Sequence, residues 1–410
     1  MLDFSRLQTP PEHGDVLIEP SPARMAALAR ENHASLRALR IRVLDADVSD
    51  VRASLRATLC DGYDGPLVMI GHQPEFIHAG VWAKHVVAAN VASSLGARAV
   101  NFIVDNDAPH AVLLDVPHAV GAHTKTRSIP FGELAREAAM EGAPSADRRT
   151  RQRFDATIRE IMGERFERSS MPLYLSALAE TDDAGDRVDQ LVHARRAVDR
   201  SFGIDLIDRR ISDTWLGPFL ADMMLNADRF ADCYNGALAA YRIAQKVRNN
   251  HRPIPDLARE ASRTELPVWV YRLGGPRRRL YVERHPDAIT LYAGTERFGS
   301  VSTSDLGRWN RAEPALKNQS GYLFRPRALS LTLWARVFVG DLFIHGIGGA
   351  KYDRITDLLI QKYFGVQPPA MACVSATLRF EDPTGPGTQH EVLRIKQQLR
   401  DLNYNPQRHL

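Results

Sequence analysis

Cysteine is scarce. The chain of 410 residues has three, Cys60, Cys233 and Cys373, odd in number, far apart and in no CxxC pairing. That argues against a disulfide framework or a thiolate zinc site, and a reducing compartment is the expectation. Long apolar runs are missing too. No window approaches the roughly 18 apolar residues of a membrane span, and the opening MLDFSRLQTPPEHGD has no basic stretch followed by an apolar one. No membrane partner is expected, and the cytoplasm is the expected location. Charge of one sign is nearly cancelled, with 53 Lys and Arg against 49 Asp and Glu. So small an excess, with no block of like charges, suits an anionic small molecule at least as well as nucleic acid. No stripe of interleaved basic and aromatic residues is present for a single strand to stack on, so no nucleic-acid partner is expected. The densest basic run, GPRRRLYVE from Gly275 to Glu283, reads as the solvated rim of a hairpin rather than a phosphate patch. No period of 20 to 50 residues recurs, which excludes a solenoid.

What is present is a strand–helix–strand grammar, used twice. Residues 21 to 60 carry apolar residues three and four apart, with Ser21 and Ser49 placed as caps, so 1–60 is expected to be a helical lead-in. GPLVMIG follows, too short for a helix and continuously apolar, as a strand buried on both faces would be. After GHQPEFIHAG (71–80), GVWAKHVVAANVASSLG predicts a helix from near Val81 to Gly96, and ARAVNFIVDND predicts a second buried strand. These elements form a βαβ unit with parallel strands and a right-handed crossover, the core's first half over 61–140. The order returns over 301–380: VGDLFIHG, the glycine turn IGGAKYD, a helix RITDLLIQKYFG stopped at Gly365, and the strand PPAMACVSATLRF. Helical spacing over 141–262 predicts a helical insertion, and 263–300 a small antiparallel β element with a turn at Gly274 to Pro276. Residues 381–410 read as a linker and a short helix. The expected fold class is therefore α/β, one parallel sheet built from two βαβ units distant in sequence.

In an open parallel sheet, ligands bind at the carboxyl ends of the strands. Each of the four predicted ends is polar, and if the units share a sheet, one mouth collects His72, Gln73, His78, Asp105, Asp107, His110, His345, Lys351, Ser375, Thr377 and Arg379. For any single member the plainer reading is a helix cap or a satisfied turn residue. The helix after His78 would present unpaired amides to a phosphate or carboxylate. Gly348 and Gly349 would let backbone amides approach an anion, with Lys351 adding charge, although a tight strand-to-helix turn explains those glycines equally well. GIGGAK is neither a Walker A loop nor a full GxGxxG. Asp105 and Asp107 alternate at a strand end, so one is expected to face the crevice and the other to turn away. His72, His78, Asp105, Asp107 and His110 are of ligand type, but without HxxxH or HExxH spacing no metal is assigned. Cys60 and Cys373 read as core.

His78-Ala79-Gly80 resembles the (H/T)xGH signature of adenylyl-transferring nucleotidyltransferases, with Val81 where the second histidine stands, and VSATLR is similar to their ISSTxxR motif, one residue short. A broader resemblance covers both ends of the core. Gly71, His72 and Gln73 stand where the bacillithiol biosynthesis cysteine-adding enzymes have a strand-end GQQ, and Lys84 matches the lysine of their following helix. Asp105, Asn106 and Asp107 match their acidic EDHD-like cluster, and residues 324 to 378, from FRPR to SATL, agree with their late segment in order and spacing. The resemblance implies a Rossmann-like nucleotidyltransferase-type core whose reaction joins cysteine to the amine of an amino sugar conjugate, with ATP or another nucleotide as the conceivable co-substrate. This chain departs from the pattern at His72 and at Ala350, Lys351 and Tyr352, which replace a Gln and a Pro-Gly-Glu loop, and its tail is shorter than that family's coiled-coil arm.

The leading expectation is a ligase-like enzyme acting on a small anionic substrate. His72, His78, Asp105 and Asp107 would be catalytic. Gln73, Lys84, His110, His345, Gly348, Gly349, Lys351, Ser375, Thr377 and Arg379 would bind substrate. Nucleotidyl transfer to a small acceptor and a non-catalytic ligand-binding homologue are the rivals, and a homo-oligomer stays open.

Overall fold

The computed structural model describes residues 4–379, apart from 5, 110, 121–122, 136, 182–184, 215, 246–253, 261, 318, 320 and 328. Its central sheet has six strands, in chain order β1 (Val16–Glu19), β2 (Leu67–His72), β3 (Arg98–Ile103), β4 (Ile207–Arg210), β5 (Leu342–His345) and β6 (Met371–Ala376). Across the sheet the order is β1-β6-β5-β2-β3-β4. β1 runs antiparallel to β6, and every other neighbouring pair is parallel.

The apolar run of β2 is buried on both faces, as its composition requires. Val68 and Ile70 pack with Ala83, Val87 and Val91 of the helix Ala79–Leu95, while Leu67 and Met69 pack on the other side with Phe219, Trp334 and Phe338. The helix Ile347–Phe364 lies on that second side through Ile355, Leu359 and Ile360. The two crossover helices therefore cover opposite faces. Each stops at a glycine in the left-handed region, Gly96 at φ 61° and Gly365 at φ 71°, where a side chain would be strained.

The two distant units meet at the pair β2–β5, with Leu342 opposite Val68 and Phe343 opposite Met69. Asp341 fixes this seam. Its buried carboxylate accepts from Arg52 at 2.8 Å, from Arg56 at 2.9 Å and from the Leu67 amide at 2.8 Å. Both arginines come from the helix Val48–Leu59, so the N-terminal helices brace the seam. Ser21 caps the helix Pro22–Arg37 as expected, but the second helix starts two residues earlier than a Ser49 cap would place it, at Val48 with Asp47 as N-cap, and Ser49 lies inside it.

Four parts differ from the sequence expectation. The lead-in over 1–60 is not wholly helical: it supplies β1 to the central sheet and a short antiparallel pair, Arg42–Val43 with Ala46–Asp47. The described residues of 141–262 hold five α-helices, among them Arg187–Ser201 and Ala227–Ala244, but also β4, whose IDRR sequence pairs in parallel with β3. A polar edge strand carries no apolar run to read. Residues Leu113–Val120 and His123–Pro130 form a hairpin within the predicted first half of the core. The antiparallel element is a second sheet of Arg263–Tyr271, Arg278–Arg284, Ala288–Ala293 and Glu296–Ser302, and it extends past 300 by pairing with Leu323–Pro326. The predicted tail over 381–410 lies outside the described residues. Among the described residues, no helix is long and apolar enough to cross a membrane.

Candidate functional site

Strand order reverses between β2 and β5, so the carboxyl ends of these two strands open a crevice between the crossover connections. Two helix N-termini border it, and they differ. At the first, His78 is itself the N-cap: its Nδ1 accepts the Gly80 amide proton at 3.0 Å. A Cβ added to Gly80 would stand 2.9 Å from His78 Cε1 and 3.0 Å from Ser375 Oγ, so the end of β6 closes on the same spot. At the second, the N-cap is Gly346, no side chain caps the first amides, and a Cβ at Gly346 or Gly348 would meet nothing within 4 Å. An anion is better served here, where no imidazole already satisfies the amides.

Lys84 lies in the wall between the two units. It is 5% exposed, its Nζ donates to the Gly71 carbonyl at 3.2 Å, and no carboxylate pairs with it among the described residues. Burial pushes its pKa down to about 8. Burial, reinforced by the Lys84 charge, takes His72 down to about 4, so its ring is neutral near pH 7. His72 Nδ1 lies 3.0 Å from the Gln73 carbonyl, which only accepts, so the proton sits on Nδ1 and Nε2 carries the lone pair. Cys373, beside His345 in neighbouring strands, is buried as expected. Burial drives its thiol up to about 12 despite Lys351 and Lys84 nearby, so it is no thiolate nucleophile.

The two aspartates at the end of β3 diverge, as their alternation implied. Asp105 is fully buried and saturated by Arg210 Nε at 2.8 Å, the Ser212 amide at 2.9 Å and the Ser212 hydroxyl at 2.5 Å. It holds β4 and the loop after it. Asp107 is more open, accepting from Gln73 Nε2 at 3.3 Å and Arg277 Nη1 at 2.9 Å. Glu75, partly buried beside it, has its pKa raised by burial and by the Asp107 charge. Thr377 and Arg379 turn away from the crevice, bonding the N-terminal segment: Thr377 Oγ1 donates to the Pro10 carbonyl at 2.6 Å, and Arg379 donates to the Pro11 carbonyl and, through its amide at 2.9 Å, to His13 Nδ1. His110 lies outside the described residues.

The crevice thus gathers His72, His78, Lys84, His345, Gly348, Gly349, Lys351 and Ser375, with Gln73 and Asp107 as a linked pair to one side. Sequence reasoning missed Glu75, although it stands in the loop first singled out. It also missed Arg277, read as solvated rim. Arg277 instead stacks its guanidinium on Trp269, 4.8 Å from the ring centroid, while bonding Asp107. Nothing local in GPRRRLYVE tells which arginine folds inward. Among the described residues, no group of three or more His, Cys, Asp or Glu is placed to hold a metal ion.

The chain is mixed α/β, with a six-stranded, mostly parallel sheet whose strand order reverses at β2–β5, where polar strand-end residues gather. No protein-family model matches the chain, and no curated protein matches it.

Proposed function

We propose that this chain is a carbon–nitrogen bond-forming enzyme resembling the bacillithiol cysteine-adding ligases, joining an amino acid or other carboxylate to the amine of a small anionic acceptor. Taken in chain order, the parallel strands run 5-4-1-2-3 across the sheet, the order of a doubly wound Rossmann-like core, which supports that reading of the fold. The observation that carries the function is Lys84, an amine buried at the switch point with no carboxylate partner among the described residues, beside a helix start with no side-chain cap. A buried charge with only a carbonyl to bond and no opposite charge is costly, and a site that receives an anionic ligand accounts for it.

A nucleotide would supply activation of the carboxylate, and the uncapped, unobstructed turn at Gly346 to Gly349 suits its phosphates, with Lys351 one helical turn further on. Lys84 would neutralise negative charge that grows on the acyl oxygen or its leaving group. His72 would accept a hydrogen bond through Nε2 and orient the acceptor, while Glu75 and Asp107 hold the ammonium form of the amine before attack. Asp105 and Arg379 take no part, because their polar atoms already serve β4 and the N-terminal segment.

The test is a thermal-shift panel of nucleotides, amino acids and phosphosugars, followed by mass spectrometry of nucleotide-containing mixtures for a product lighter than its two precursors by one water. A shift with a nucleotide or amino acid, and such an amide, are expected. No shift with any compound overturns the reading, and a nucleotidylated product that persists decides for nucleotidyl transfer.

A further inference from the structure

We infer that His345, positioned by Asp353, is the general base that takes the proton from the attacking amine. This rests on the ligase reading above. As the amine's lone pair forms the carbon–nitrogen bond, the carbon–oxygen bond to the activating group breaks with its electron pair, and the proton passes from nitrogen to His345 Nδ1.

The geometry is that of an imidazole held from behind. His345 ends β5 at the switch point, 6% exposed, with Nε2 3.0 Å from Asp353 Oδ2. The contact is at ion-pair distance but off the line of a hydrogen bond, as catalytic contacts often are before substrate arrives. Asp353 is kept charged: burial opposes its ionisation, but the Arg336 guanidinium outweighs it and holds the carboxyl well below the usual range. Arg336 is as deeply buried, donating to Asp353 at 2.5 Å, to Asp357 at 2.6 Å and to the Pro369 carbonyl at 2.5 Å. It sits in a π-helical turn, Ala335–Val339, a deformation frequent at functional sites. A carboxylate behind Nε2 puts the neutral ring's proton there and leaves the lone pair on Nδ1.

That outer nitrogen lies against the glycine turn. A Cβ on Gly349 would stand 3.0 Å from His345 Nδ1, and Gly349 itself is exposed. This gives the glycine a reason beyond anion binding: a side chain there would press on the ring exactly where substrate must reach it. The other bases in the crevice are less apt. His78 Nδ1 is occupied by the Gly80 amide, Asp105 is saturated, and His72 gives up a proton too readily near neutral pH to hold one taken from an amine.

Three variants test the assignment once a condensation has been detected. H345Q is expected to lower kcat about 100-fold or more with KM within about threefold, the range for losing a general base. D353N should lower kcat comparably and shift the His345 tautomer away from Nε2–H in nitrogen-15 NMR spectra, a signature that loss of packing alone would not produce. G349A leaves every charge in place but sets a carbon 3.0 Å from the buried ring, so it should lower the melting temperature by no more than about a few degrees yet lose about tenfold in kcat. If D353N fails to fold, G349A and the wild-type tautomer decide. An active wild type whose H345Q or G349A kcat stays within threefold, or whose His345 carries its proton on Nδ1, overturns this inference alone. A wild type that forms no amide overturns it together with the ligase reading.

Discussion

Replacing Lys84 by methionine asks whether the buried amine exists for the fold or for a ligand. Methionine keeps the length of the chain and removes the charge. The pKa of Lys84 falls from 10.5 to about 8 on burial, which at about 1.4 kcal/mol per tenfold change in proton affinity amounts to about 3 kcal/mol of stability forgone. The sign follows from proton counts. Between pH 8 and 10.5 the unfolded chain binds the proton that the folded chain has lost, so wild-type stability rises with pH across that window. Below about pH 8 both states are protonated and the full cost is present. K84M should therefore be more stable than wild type by about 3 kcal/mol at pH 6.5, less whatever the bond to Gly71 contributes, and by only about 1 kcal/mol at pH 9.5. Urea melts at the two pH values read this directly, and a thermal-shift assay with nucleotide reads the other half: the variant should gain stability and lose the ligand-induced shift. A K84M protein that is less stable than wild type at both pH values would refute the reasoning, since the amine would then be holding the structure rather than waiting for an anion.

Other substitutions report on the rest of the seam and the crevice. Because burial and the Lys84 charge lower His72 from 6.5 to about 4, the unfolded chain takes up a proton first as pH falls through that window, and stability drops; H72Q should flatten the slope of urea-melt stability against pH there by about one proton. D341N leaves Arg52 and Arg56 buried beside a weakened partner and should lose about 3 to 5 kcal/mol in urea melts; a loss below 1 kcal/mol would mean the seam does not depend on this carboxylate. G80A drives a carbon to within 3.0 Å of Ser375 Oγ and 2.9 Å of His78 Cε1, so it should cost about 1 to 3 kcal/mol despite alanine's preference for helix. G348A meets nothing within 4 Å and should keep or raise the melting temperature while weakening nucleotide binding, as read by calorimetry.

Both βαβ units were legible because β2, β3, β5 and β6 are short apolar runs followed by helices that stop at glycine, patterns that depend only on near neighbours. That the two units share a sheet was only a condition of the expected crevice, and their meeting at β2–β5 is known from the pairing itself. β4 was not legible, because IDRR owes its place to pairing with β3 and to Arg210 bonding Asp105, contacts that no local pattern reports. The same limit applies at the site. Residue types showed that His78 and Asp105 were polar strand-end groups, but only geometry shows that one caps its own helix and the other is spent on Arg210 and Ser212. Conversely, Gly349 and Asp353 are four apart on one helix, so a shared face over His345 was within reach of helical spacing; what was missing was a reason to look there.

The bond between the Leu67 amide and Asp341 spans 274 positions of the chain. While a ribosome adds that stretch, β2 has β3 beside it but no neighbour on its other flank, leaving a row of backbone donors and acceptors between apolar side chains bare. Translation must reach β5 before this flank is sheltered, so prematurely terminated chains should be the species that chaperones retain and that aggregate when none is at hand.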